Sequence, residues 1–114
     1  MKNLELQKRA NDVRKGIVTA VHSAKAGHPG GSLSAADIFT FLYFEEMNID
    51  PNNPDMEERD RFVLSKGHTA PGLYSALAYR GYFPVEDLPK YTRIRLFNAL
   101  IEFGEIDEIT RIYV

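Results

Sequence analysis

The chain has 114 residues with 44% apolar side chains, no cysteine, and a formal net charge of −2 from 14 basic and 16 acidic residues. This length allows one domain with a modest core, and the near-neutral charge argues against nucleic acid or an anionic membrane surface as a partner. The absence of cysteine excludes disulfides and thiolate zinc sites, and the absence of an apolar run of about 18 residues argues against a membrane span. The charged N-terminal stretch lacks the apolar segment of a signal peptide, so we expect a cytoplasmic protein.

The first predicted element is a helix of about six turns that starts near Leu6 and ends before Gly27. Its apolar residues recur at steps of three and four, which is the period of one helical face. These residues are Leu6, Ala10, Val13, Ile17, Val21 and Ala24. Charged and polar side chains lie mostly on the other side, so the apolar stripe is expected to face the core.

A second helix is predicted from roughly Ala35 to Met47. The segment 29–31 (PGG) is expected to stay irregular, and Ser34 with Asp37 three residues later resembles a capping box that opens the helix. Apolar residues follow on nearly every side of this helix, which predicts burial all round.

The polar segment 48–60, with two prolines, is expected to be a surface loop. The next five residues, RFVLS at 61–65, predict a short strand of a parallel sheet, because consecutive positions are apolar and the run is too short for a helix. A third helix should follow, with Thr69 as its N-cap, Pro71 in its first turn and Gly81 at its end.

Two histidines lie in glycine-containing turns that precede helices. His28 is followed by PGG, and His68 follows Gly67 directly after the predicted strand, where helix N-termini often meet anionic ligands. Local physics leaves open that the glycines are helix caps and that both histidines are ordinary loop residues. His22 lies on the first helix at a spacing unsuited to a shared metal site with His28, so it is expected to be structural or solvent-facing.

Together, three motifs resemble the N-terminal part of the thiamine diphosphate-binding domain of transketolase, over about residues 8–88. They are the AGHPG loop at 26–30, the DPNNPDMEERDRFVLS stretch at 50–65, and the SKGHT turn at 65–69. The resemblance implies a mainly α chain with a short strand, as the leading portion of an α/β domain. The tail 89–114 does not match the pattern; it is expected to form a helix and then a strand that closes the sheet.

The resemblance also implies roles for individual residues. His28 would bind the substrate and take part in catalysis, and His68 with Gly67 would contact thiamine diphosphate. Transketolases also use Mg²⁺, but the later GDG…N motif that holds the metal and the diphosphate is absent from this chain. No metal ligand is therefore expected here, and cofactor affinity should be very weak.

The implied activity is two-carbon ketol transfer between sugar phosphates, by a fragment or subunit that is inactive alone. Its partner would be a second copy or a complementary transketolase chain. The alternative is a non-catalytic globular or oligomeric helical protein that keeps the loops as structure, and cofactor binding separates the two. A free-standing sugar-phosphate-binding module has less support, because no cluster of arginines is available for an anion.

Overall fold

The computed structural model describes residues 2–24, 29–65 and 69–89. The predicted tail helix and closing strand therefore lie outside the described residues, as does the predicted helix end at Gly27. No helix within the described ranges is long and apolar enough to cross a membrane.

Three α-helices build the described part of the chain: α1 (Asn3–Ala24), α2 (Pro29–Phe41) and α3 (Ala70–Arg80). A π-helix at Leu42–Glu46 continues α2, and a 3₁₀-helix covers Val85–Asp87. Each α-helix packs against the other two, so that the core lies between them. The prediction of a mainly α chain is confirmed.

Helix α1 confirms the predicted apolar stripe. The residues it buries recur at steps of three and four, as one helical face requires, and are Ala10, Val13, Ile17 and Ala20. The helix begins at Asn3 and, with 22 residues, has the predicted length of about six turns.

Helix α2 begins at Pro29, so the prediction of an irregular 29–31 segment and a start near Ala35 is wrong. Proline suits the first turn of a helix, because its fixed φ is helical and the N–H that it lacks has no partner there anyway. Asp37 consequently lies in the middle of the helix, where its Oδ1 accepts a hydrogen bond from Arg14 Nη2 of α1 at 2.7 Å.

Burial of α2 is one-sided, in contrast to the predicted burial all round. Its inner face is fully covered by α1 and α3, whereas Ile38 is 62% exposed and Phe41 is 46% exposed. The described part of the chain therefore leaves much of these two large apolar side chains exposed.

The π-helix widens the last turn of this segment. Met47 N–H donates to Leu42 C=O at 2.9 Å, five residues back, in place of the usual four. Within this turn, the Tyr43 carbonyl accepts a hydrogen bond from Arg80 Nε of α3 at 2.8 Å. The widened turn is thereby tied to the end of α3.

Helix α3 is the central element, because every residue from Pro71 to Ala78 is buried. The predicted bounds of this helix are confirmed: Thr69 lies at the N-cap position, though its side chain makes no capping hydrogen bond to the helix, and Gly81 ends the helix with a φ of 112°. A positive φ of this size favours glycine, because a Cβ would be strained there.

Two glycines allow the helices to approach closely. A Cβ on Gly16 of α1 would overlap Ser75 Oγ of α3, whose hydroxyl donates a 2.8 Å hydrogen bond to Val13 C=O. A Cβ on Gly72 of α3 would lie 2.6 Å from Phe39 Cε2 of α2. The crossings of α3 with α1 and with α2 therefore both depend on a missing side chain.

The predicted surface loop is confirmed at 48–60, and its two ends are joined. Asp60 N–H donates to Asn48 C=O at 2.9 Å, while Asn48 N–H donates to Asp60 Oδ2 at 2.7 Å.

The predicted strand at 61–65 is not formed, since these residues belong to no helix or strand. A strand needs a hydrogen-bonded neighbour, and the described residues provide none.

Tyr43 is the centre of an aromatic cluster and carries a buried hydroxyl. Its ring meets those of Phe62 and Tyr82 edge to face, with centroids 5.9 and 6.4 Å apart, and the residue is 1% exposed. Its Oη has no hydrogen-bond partner in the described structure. Burial, with a smaller effect of Tyr82, raises the pKa of the Tyr43 hydroxyl above its usual value.

We expect Tyr43→Phe to stabilise the protein by about 1 kcal/mol, because the substitution removes a desolvated hydroxyl that gains no hydrogen bond. Urea unfolding followed by far-UV circular dichroism measures the change. Tyr79→Phe is the control, since Tyr79 is partly exposed and should change stability little. A lower stability of Tyr43→Phe would show that the hydroxyl has a stabilising partner.

The raised pKa of Tyr43 also predicts a pH dependence. The folded state resists ionisation of this hydroxyl, whereas in the unfolded chain its pKa lies near the ordinary tyrosine value of 10.0. Ionisation of the hydroxyl therefore favours the unfolded chain. The free energy of unfolding is not affected by this group below pH 10 and decreases as the pH rises above that value. Tyr43→Phe should reduce this alkaline loss, and Tyr79→Phe should reduce it much less.

Candidate functional site

The three residues singled out from the sequence, His28, Gly67 and His68, lie outside the described residues. Their predicted roles stay predictions. The structure does describe the elements that follow them, because Pro29 begins α2 and Thr69 directly precedes α3 at the N-cap position.

A hydrogen bond joins the first turns of these two helices. Gly72 N–H of α3 donates to Ser32 Oγ of α2 at 3.2 Å, and both residues are buried. This N–H is one of the donors that the start of a helix leaves without a partner inside the helix. A serine on a neighbouring helix thus takes the place of a local cap and holds the starts of α2 and α3 side by side.

Sequence reasoning missed Ser32. The residue lies 40 positions from Gly72 along the chain, and no local pattern distinguishes it from the nearby Ser34. Only the packing of α2 against α3 identifies its partner.

Chain connectivity limits how far the two histidines can lie from this junction. Consecutive Cα atoms are about 3.8 Å apart across a trans peptide bond. In the sequence His28 directly precedes Pro29, the first residue of α2, and His68 lies two residues before Ala70, the first residue of α3.

The electrostatics of the junction favour an anion. Neither α2 nor α3 carries an acidic residue in its first turn, so the partial positive charge of each helix N-terminus is not offset within its own helix. The Ser32–Gly72 hydrogen bond holds two such ends together, and a helix N-terminus suits a phosphate group or a developing oxyanion.

The described ranges contain no group of three or more His, Asp or Glu side chains able to hold a metal ion. A magnesium-linked diphosphate needs oxygen ligands in near-octahedral geometry, so the described residues fit the anionic character of a diphosphate but not its metal.

Two other features lie away from the helix starts. A cleft of about 170 Å³ between α1 and α2 is lined mainly by apolar surface, with Leu6, Ala10 and Phe41 among its residues, near the start of α1 and the end of α2. His22 is exposed on α1, in agreement with the prediction of a structural or solvent-facing residue. Neither feature contributes to the junction.

A family profile described as the transketolase thiamine diphosphate binding domain matches residues 6–99. The match covers most of the chain and includes both histidine-bearing segments. It confirms the resemblance predicted from the motifs and extends beyond the predicted end near residue 88.

Individual relatives carry related names. The chain is 50% identical over 90 residues to a 6-deoxy-6-sulfo-D-fructose transketolase subunit of Clostridium sp. (strain MSTE9), covering 79% of this chain and 33% of the relative. It is 42% identical over 106 residues to an apulose-4-phosphate transketolase subunit of Phocaeicola vulgatus, covering 93% and 34%. Transketolase 1 of Escherichia coli (strain K12) is 41% identical over 86 residues, covering 75% and 13%.

The chain thus spans about a third of the length of the two subunits and a smaller share of the longer transketolase. The similarities therefore concern one part of these relatives.

Proposed function

Because the chain belongs to the transketolase family, within its thiamine diphosphate-binding domain, we propose that it supplies two histidine-bearing loops to the active site of a ketol-transferring enzyme. The family also confirms the predicted fold class, since the helical chain is a partial fragment of an α/β domain.

The observation that supports the proposal is the hydrogen bond from Gly72 N–H to Ser32 Oγ. It holds the helix that follows His28 against the helix that follows His68. His28 lies one residue and His68 two residues before the helix that follows it, so we propose that both side chains face one site, and that the paired helix ends attract its anionic groups.

The proposed roles differ between the two loops. His68, with Gly67 allowing close approach of the backbone, contacts thiamine diphosphate. His28 binds the sugar and exchanges a proton with its hydroxyl oxygens, a task for which imidazole is suited near neutral pH. When bound, thiamine diphosphate supplies the carbon nucleophile and the electron sink for two-carbon transfer.

The substrate class is proposed from the names of the relatives. One is named for a sulfonated fructose and another for apulose 4-phosphate, which are both sugars with an acidic group. We assign the whole enzyme to sugars that carry a phosphate or a similar anion. We propose that other segments, in a second copy or a complementary transketolase chain, supply the ligands of Mg²⁺. On this proposal the chain is inactive alone. The cytoplasm remains the expected location.

A titration followed by histidine NMR tests the cofactor role. The chain has only three histidines, His22, His28 and His68, so their imidazole signals are assigned by single substitutions. We expect thiamine diphosphate to shift the His68 signal with a dissociation constant of roughly 1 mM, which corresponds to only a few weak contacts. The shift should be the same with Mg²⁺ and with a chelator, because the metal motif is absent.

His68→Ala should abolish saturable binding in a parallel calorimetric titration, and His22→Ala, on an exposed site of α1, is the matched control. Binding that is equally strong in His68→Ala, or no perturbation of the His68 signal in a folded chain, contradicts the proposed role. The second result favours the alternative, a non-catalytic helical protein whose histidine loops are only structural.

A further inference from the structure

The ring of Phe39, on α2, contacts the chain on both sides of the segment that carries Gly67 and His68. Before this segment, the ring of Phe62 meets that of Phe39 edge to face, with the two centroids 5.9 Å apart. After it, Gly72 in the first turn of α3 lies so close that an added Cβ would be 2.6 Å from Phe39 Cε2. One side chain of α2 thus contacts both flanks of the His68 segment.

Each flank also has a second contact with the same part of the chain. Gly72 N–H donates to Ser32 Oγ, two turns before Phe39 on α2. The ring of Phe62 also meets that of Tyr43, in the π-helix that continues α2. Phe39 lies between these two contacts and belongs to both groups.

Phe39 is itself held firmly. The residue is 3% exposed and belongs to the buried cluster that the three helices share. Side chains in a close-packed interior cannot shift without moving their neighbours. A change in the size of this ring is therefore transmitted to both flanks of the His68 segment.

We propose that Phe39 is a positioning residue for His68, which it affects through Phe62 and Gly72. The inference rests on the proposed function, because it concerns the histidine that is proposed to contact thiamine diphosphate. A short segment fixed at both flanks has fewer conformations than one fixed at a single flank. Less conformational entropy is then lost when the cofactor binds.

Phe39→Leu tests this role, because leucine lacks the outer ring atoms that meet the two flanks but remains apolar. In histidine NMR spectra without cofactor, we expect the His68 imidazole signal to shift or broaden more than that of His22, which is exposed on α1. Thiamine diphosphate binding should weaken about threefold or more, a size typical of coupling between residues in contact.

Phe41→Leu is the matched control. It makes the same substitution on the same helix, at a side chain that is 46% exposed. We expect it to leave the His68 signal and the affinity for thiamine diphosphate unchanged.

A double variant separates positioning from a general loss of stability. Gly72→Ala alone should perturb the His68 signal, because the new Cβ overlaps the Phe39 ring edge. Adding Phe39→Leu removes the Cε2 atom, so the double variant should lie closer to the wild type than Gly72→Ala does. Two independent losses of core stability would instead add.

The proposal fails if folded Phe39→Leu keeps the wild-type His68 signal and affinity, if Phe41→Leu changes them equally, or if the double variant is not closer to the wild type. Phe39→Met replaces Phe39→Leu if circular dichroism shows that the latter is unfolded. Failure of the proposed function gives a different result, because thiamine diphosphate would then leave His68 of the wild type unperturbed. The cofactor-free spectra would still report whether Phe39 positions His68.

Discussion

Leu77→Ala is expected to lower the free energy of unfolding by about 3 kcal/mol, the usual cost of removing a buried leucine side chain. Leu77 is fully buried in the centre of α3, the helix that α1 and α2 both contact. Leu77 belongs to the buried cluster that residues of all three helices form, so the cavity would open in the core. Urea unfolding followed by circular dichroism measures the loss.

Leu4→Ala is the matched control for this prediction. Leu4 is 61% exposed near the start of α1, so the same substitution there should change stability by about 0.5 kcal/mol or less. Equal losses for the two variants would mean that α3 is not the centre of the core in solution.

Gly16→Ala is expected to lower the free energy of unfolding by about 2 kcal/mol, because overpacking at a tight crossing forces the backbones apart. The new Cβ would overlap Ser75 Oγ and lie 3.0 Å from Leu88 Cδ2. The clash must outweigh the gain of about 1 kcal/mol that alanine normally brings to a helix interior.

Two companion variants make the Gly16 prediction specific. Gly30→Ala should leave stability unchanged or raise it slightly, because a Cβ on Gly30 meets nothing within 4 Å. Adding Ser75→Ala to Gly16→Ala removes the overlapping oxygen, so the double variant should lose less stability than the two single losses combined. Additive losses would show that Gly16 does not approach Ser75 in solution.

The predictions that held were those with local causes. The apolar stripe of α1 and the bounds of α3 at Thr69 and Gly81 follow from short-range periodicity and backbone preferences. The histidine loops were found from motif spacing, and the family match includes them. Their roles still await the titration.

The predictions that failed were those that depended on a distant neighbour. The segment 29–31 (PGG) suggests a loop when considered alone, yet these residues form the first turn of α2, which packs against α3 through Ser32 and Gly72. The apolar composition of α2 predicted burial on every side, but Ile38 remains exposed because the described chain covers only one face.

The amino-acid sequence by itself determined the helical character of the chain, its family and the two histidine-bearing segments, because these depend on residue types and spacings along the chain. Tertiary structure alone decided that Ser32 joins α2 to α3, that Gly16 lies against Ser75, and that residues 61–65 join no strand within the described ranges. The reason is that a helix forms its hydrogen bonds within itself, whereas a helix crossing or a strand exists only when a second element lies beside it.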